Sequence, residues 1–347
     1  MRVNRLTACL LGGVMAASVL IGCGGVNKSA TVATFDETVV PLGVANFMAR
    51  YQQATYDDFY AAMWGEDVWA YDLYGSGTTM QDDVKSGVLE SLFAMYTLKA
   101  HSAEYSVALT AEDEAAIAAA AESFLSDNSR EALKALGADQ ETVEEYLTLC
   151  TIQRRMYDAI IGQVDTEVSD AEANTGTYSY VLVSKLNYTD ESGNTAEYTE
   201  EGLAELGTTV EAFATEAQKG TLEEAAEAYG YTVRTGTFTA DNEMLDEAVL
   251  SALQSLKDGE VSDVVDTGSY YYVLRLDAEI DAEATENTRQ NIISERQSNF
   301  YSETLTGWQE GHTWTVDEEV WAAVTFDNLF TTVPPVTGTE SFDSTEQ

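Results

Sequence analysis

The chain is short of cysteine, histidine, proline and positive charge. Its 347 residues include three cysteines, two histidines and three prolines. Cys9 and Cys23 lie within and at the end of an apolar N-terminal stretch, so Cys150 stands alone in the body and no internal disulfide framework can form there. Cys150 falls in a helical pattern and reads as a small buried hydrophobe. His101 and His312 occupy different segments without cysteine or carboxylate at metal-ligand spacing, which gives each a structural role and leaves no metal site. Three prolines and 24 glycines exclude collagen-like and proline-rich classes. Only 17 Lys and Arg stand against 60 Asp and Glu, a net charge of −43. A field of that sign repels phosphate backbones and excludes nucleic acid as a partner. It also disfavours broad docking on anionic lipid, while attracting basic, unfolded polypeptides. No glycine-rich phosphate loop and no Gly-x-Ser-x-Gly turn is present, so no cofactor is implied.

The longest apolar run, residues 6–21, has 16 residues and follows Arg2 and Arg5. A membrane-spanning helix needs ~20, so the run reads as a secretory leader. It ends in Leu20-Ile21-Gly22-Cys23, which resembles the bacterial lipobox. The resemblance implies a signal peptide over 1–22, a diacylglyceryl anchor on Cys23 and a place on the outer face of a bacterial cytoplasmic membrane. Residues 23–40, small and polar at their start, read as a flexible tether.

From residue 41 the pattern is helical. Residues 42–64 repeat aromatic and apolar side chains at three- and four-residue spacing and stop at Gly65. Residues 80–107 and 140–163 form two further long helices. Thr110 caps an alanine-rich helix, and Gly137 closes a short one over 129–136. After Gly176 the pattern changes. Residues 178–186 are aromatic and β-branched, and 231–239, 261–266 and 270–276 also read as strands. Helices over 199–218, 221–229 (opened by a Thr221–Glu224 capping box) and 243–256 intervene. Residues 284–310 form a polar amphipathic helix. The apolar stretch after it, from Trp308 to Leu329, must pack against the helical part. Residues 331–347 read as a disordered tail. The fold class is therefore α+β, with helical residues 41–170 completed by 283–330 and a β-containing insert over 176–280.

This order resembles the PrsA/SurA group of extracytoplasmic foldases. Residues 42–53 resemble the opening helix of their N-terminal chaperone domain, and Tyr178–Val183 the first strand of a parvulin module. Leu256-Lys257-Asp258-Gly259-Glu260-Val261-Ser262 resembles the parvulin helix-to-strand turn, and Tyr271–Leu276 its last strand. The resemblance implies a SurA/PrsA-like chaperone domain completed by a C-terminal helix, with an inserted four-stranded antiparallel sheet flanked by helices. Parvulins carry a histidine in the first strand and another in the last. Here the matching positions are Tyr180 and Tyr272, and the loop bearing a third polar residue is missing after Gly230. Phe238, Met244, Val249 and Leu250 are the candidates for the apolar proline pocket.

Prolyl isomerisation makes and breaks no covalent bond. A catalyst must bind the twisted amide better than either planar form, against a barrier of ~18–20 kcal/mol. Two phenols cannot reproduce the protonation and tautomer choices of two imidazoles. Weak or lost isomerase activity is therefore expected, with an active isomerase using Tyr180 and Tyr272 as the alternative. Client binding falls to the aromatic helix, with Phe47, Tyr51, Phe59, Tyr60 and Trp64 as candidates. The expected partners are unfolded or newly secreted polypeptides, and a homodimer is compatible. A solute-binding lipoprotein is the rival from another class. It requires two lobes of alternating strand and helix.

Overall fold

The computed structural model describes residues 14–17, 26–189, 192–327 and 330–333. It divides into two compact units, one of residues 1–164 with 299–347, the other of 165–298.

In the first unit, β1 (Val14–Ala17) is followed by a hairpin of β2 (Thr31–Phe35) and β3 (Thr38–Pro41). The hairpin corrects the tether expected over 23–40. Val32 and Val40 are fully buried, and Asp36 takes the left-handed conformation (φ 51°) that the tight reversal needs. The helices α1 (Leu42–Trp64), α2 (Met80–His101), α3 (Ala111–Asp127), α4 (Arg130–Leu136) and α5 (Gln140–Ile161) follow. Their ends lie where local chemistry places them. Thr79 with Asp82 and Thr110 with Asp113 form reciprocal capping boxes, and Gly137 ends α4 at φ 68°. Phe47, Phe124, Leu136 and Leu147 pack together between α1, α3, α4 and α5, while Leu42, Leu92 and Leu149 join the hairpin in a second cluster.

The second unit begins with a short α6 (Asp170–Ala173), then β4 (Gly176–Ser184), the small β5–β6 pair (Tyr188–Thr189 and Thr195–Ala196), α7 (Glu200–Lys219), α8 (Leu222–Tyr229), β7 (Arg234–Phe238), α9 (Glu247–Ser255), β8 (Val265–Asp266) and β9 (Tyr270–Ala278). The main sheet is four-stranded and antiparallel, in the order β7-β4-β9-β8. Thr221 caps α8 through the Glu224 N–H. Alternation splits the sheet side chains between two faces. Val181, Val183 and Val273 pack on α7 and α8, and Tyr178, Leu274 and Leu276 pack on α9. The turn before β8 holds Gly259 at φ 77°, donating its N–H to Leu276 O.

Helix α10 (Ala282–Gln309) leads back to the first unit, where β10 (Trp314–Val316), α11 (Glu318–Ala322) and β11 (Phe330–Val333) complete it. Tyr301, Leu305 and Trp308 cover Leu98, Met156 and Ile160, while Trp321, Val324 and Phe326 join the hairpin cluster. The returning chain thus finishes the helical core, as expected. It also adds a strand to the hairpin, giving the sheet β10-β2-β3 with Trp314 opposite Phe35. Residues 331–333, read as tail, extend β11, which pairs with β1.

The two histidines, read as separate, meet here. His101 Nε2 lies 3.1 Å from His312 Nε2, with His101 Nδ1 on Glu104 (2.8 Å) and His312 Nδ1 on Asp36 (2.7 Å). The His101 ring stacks on Trp308 with centroids 4.2 Å apart. These contacts join α2, the hairpin turn and the returning chain.

Candidate functional site

Two surfaces hold the chemistry that the sequence singled out. The first is the α9 face of the β4–β9 sheet. Tyr178 and Tyr180 lie two residues apart on β4, and Tyr272 lies on β9, whose neighbour across β8 is Val265. The three rings form a row, with centroids 5.4 Å apart from Tyr178 to Tyr180 and 5.9 Å from Tyr180 to Tyr272. Tyr180 and Tyr272 thus share one face, half-buried, while Tyr178 is buried against Leu274 and Leu276. Burial pushes the Tyr272 hydroxyl above the ordinary phenol range. Tyr180, Asp246 and Tyr270 add to this, and Arg234 opposes it. Burial first, then Tyr180 and Tyr272, raises Tyr178 as well. At neutral pH Tyr272 therefore keeps its proton and acts as a donor, not a base.

Arg234 is a residue that sequence reasoning missed. It stands directly opposite Tyr180 in the β4–β7 register, on the same face, and is exposed. The signal was available in strand alternation, since Arg234 precedes Phe238 by four. The face therefore presents two phenols and a guanidinium, all hydrogen-bond donors suited to a carbonyl oxygen.

The pocket candidates divide. Phe238 and Val249 are buried in the core under this face, and Leu250 is half-buried beside them. Met244 is 94% exposed and supplies no wall. The reason is local. Helix α9 starts at Glu247, capped by the Asp246 carboxylate on the Ala248 N–H, so Met244 falls in the preceding loop and not on a helix face. Two glycines make room for the rings. A Cβ on Gly236 would stand 2.7 Å from Tyr178 Cζ, and one on Gly176 would strike the Phe238 ring. Gly236→Ala is therefore expected to lower stability by about 1–3 kcal/mol in urea melts, because the Tyr178 ring, buried with Phe238, Leu274 and Leu276, must shift to admit the methyl. A change under about 0.5 kcal/mol would show that the ring moves freely.

The second surface is the C-terminal half of α1 with the loop after it, in the other unit. Phe59 is 57% exposed, Trp64 42% and Tyr74 77%. Tyr60 is half-buried at their centre, its ring centroid 5.5 Å from Phe59 and 5.4 Å from Trp64. The other two client-binding candidates are core residues. Phe47 is fully buried, with Phe124 edge-on at 5.7 Å, and Tyr51 is buried against the same ring. The N-terminal half of α1 is enclosed by α3, α4 and α5, whereas its last turns extend past them.

Beneath the exposed aromatics lies a buried polar group. Asp57 accepts from Trp69 Nε1 and from the Phe330 N–H, both at 2.6 Å. Arg50 donates to Thr325 O at 2.6 Å. Among the described residues, no group of three His, Cys, Asp or Glu is placed to hold a metal ion. Cys23, the expected lipidation site, lies outside the described residues. No helix among the described residues is long and apolar enough to cross a membrane.

Residues 184–287 match the family model described as the PPIC-type PPIase domain. This bears out the parvulin resemblance over that span, which contains Tyr272 and begins just after Tyr180. No curated protein matches. Among solved structures, the foldase protein PrsA of Lactococcus lactis is 14% identical, covering 85% of this chain and 98% of its own, at a TM-score of 0.34. PrsA of Bacillus anthracis is 21% identical over 63% of this chain and 96% of its own, at a TM-score of 0.28. A SurA-like chaperone from Campylobacter jejuni is 13% identical over 83% and 99%, at a TM-score of 0.28.

Proposed function

We propose that this chain is an extracytoplasmic foldase. In this reading it holds unfolded or newly secreted polypeptides on the aromatic end of α1, and its PPIC-type domain has weak or lost isomerase activity. The observation that carries the reading is the exposed aromatic cluster of Phe59, Trp64 and Tyr74 on a molecule that also carries a PPIC-type match. Aromatic and thioether side chains bind varied unfolded segments because they adapt in shape. Met63, 60% exposed, adds to the cluster.

The test is suppression of aggregation of a denatured protein by residues 23–347. The double variant Phe59→Ser, Trp64→Ser is expected to need severalfold more protein for the same protection, with an unchanged melting temperature because both side chains are exposed. Equal protection by the variant would end the reading.

A second reading, an active prolyl isomerase, is favoured by Tyr180, Tyr272 and Arg234 standing on one face. A tetrapeptide prolyl assay decides between the two. We expect less than about tenfold acceleration, below the 10²–10³ that a donor in a preorganised site is typically worth. Strong acceleration that is lost in Tyr272→Phe would favour the enzyme instead.

The lipid anchor belongs to the same proposal. Cleavage before Cys23 removes β1 and exposes the edge of β11 with which it pairs. Metabolic labelling with a fatty acid is expected to mark the wild type and not Cys23→Ala. The solute-binding alternative has no support in a unit whose described residues form helices and two small sheets, of two and three strands, rather than lobes of alternating strand and helix.

A further inference from the structure

A cavity of about 300 Å3 opens between α1, the loop after it and the start of α2. Its walls include Tyr56, Tyr60, Trp69, Tyr74 and Asp83. Tyr56 and Tyr60 stack face to face, with centroids 5.4 Å apart and planes at 16°, and Trp69 meets Tyr60 edge-on at 5.5 Å. Met80 and Val84 supply apolar surface, and no lysine or arginine is among the lining residues. Asp83 is exposed, and its Oδ1 accepts from Thr78 Oγ1 at 2.6 Å, which leaves Oδ2 for a ligand.

We propose that this cavity takes the side chain of an arginine in an unfolded client. The proposal rests on the client-holding reading above and gives it a residue preference. Ring faces are the negative side of the aromatic quadrupole, so several rings around one space favour a cation. A planar guanidinium can stack on the Tyr56–Tyr60 pair while its N–H groups reach a carboxylate, and its three-carbon stem suits the apolar wall. The −43 charge of the chain raises the local concentration of basic segments, but that field acts on every cation alike. Selectivity must come from the rings and from Asp83. Binding a guanidinium here needs no bond formation and no movement of the core. Tyr74, at 77% exposure, is the most exposed ring of the lining.

The experiment uses residues 23–347 and the blocked pentapeptides Gly-Gly-X-Gly-Gly, with X arginine, lysine, citrulline or norleucine. Binding is followed by tryptophan fluorescence and calorimetry at physiological salt. The arginine peptide is expected to bind at least tenfold more tightly than the citrulline or norleucine peptide, and more tightly than lysine. Tyr74→Ser, which leaves the charge unchanged, and Asp83→Asn are each expected to weaken arginine binding by threefold or more. Citrulline or norleucine binding as well as arginine would make the cavity merely apolar and overturn the proposal. So would arginine binding that Tyr74→Ser does not alter, since the general acidic field would then account for it. Failure of the broader reading looks different. If the proposal alone fails, aggregation suppression persists while the arginine peptide does not bind. If the broader reading fails, suppression is absent whatever the peptide does.

Discussion

Arg50→Ala is expected to destabilise the helical unit by about 3–5 kcal/mol, the cost of removing one partner from a buried charged group. Arg50 is 3% exposed in the middle of α1. Its guanidinium donates to Thr325 O and lies 5.0 Å from the Phe330 ring centroid and 5.7 Å from that of Phe326. Burial pulls its pKa down to about 10, with Asp57 and Asp327 opposing, so it stays charged at neutral pH. Three further contacts hold the same returning segment by its main chain. Lys85 Nζ donates to Val324 O at 2.9 Å, Gln81 accepts from the Phe326 N–H at 2.7 Å, and Asp57 accepts from the Phe330 N–H. Removing the guanidinium leaves Asp57 as a buried anion without its countercharge and frees the rings that stack on it. Urea melts should show the loss, and proteolysis should cut after Trp321 far faster than in the wild type. Arg50→Lys should recover only part of the stability, because an ammonium does not stack as a planar guanidinium does. A loss under about 1 kcal/mol, within the range of ordinary surface pairs, would show that the returning segment is held by its apolar contacts alone.

Asp57 should make the same unit sensitive to pH. Burial raises its pKa from the ordinary 3.8 to about 6, against the hydrogen bonds from Phe330, Trp69 and Gln53 and the charge of Arg50. The folded form then holds the proton more tightly than the unfolded chain. The contribution of Asp57 to stability is highest below about pH 4, falls as the pH rises through about 6 and is level above. The interval corresponds to roughly 3 kcal/mol. The other acids impose their own slope on any single melt, so the comparison is with Asp57→Asn. Between pH 4 and pH 7 the wild type should lose up to roughly 3 kcal/mol relative to that variant. A difference that stays flat across this range would show that the hydrogen bonds hold the carboxyl near its ordinary value.

Arg50 and Asp57 also mark where sequence reasoning ended. Both lie on α1 within a stripe read for its aromatic residues. Nothing in the spacing says that a chain segment some 275 residues later supplies their partners. The hairpin at 31–41 was hidden for the same reason, because its third strand comes from Trp314–Val316. The histidine pair joins residues 211 apart in sequence. By contrast, Thr110, Gly65 and Gly137 act on groups within four residues of themselves, and their helix ends fell where local rules placed them. The succession of strands and helices along the second unit was legible because each strand alternates under its own residues, whereas the register between β4 and β9 that puts Tyr180 and Tyr272 on one face joins residues far apart in the chain. Met244 was misplaced because helix onset shifted by one turn, from Glu243 to Glu247.

Composition and local pattern by themselves determined the helices, the β-containing insert and the acidic charge, and the resemblance added that its sheet is antiparallel and that Tyr180 and Tyr272 stand where it calls for histidines. Tertiary structure alone decided that Phe47 and Tyr51 are core while Phe59 and Trp64 face solvent. Periodicity states which way a side chain points around its own helix. What stands in that direction depends on segments far away in the chain, and α3, α4 and α5 cover only the first half of α1.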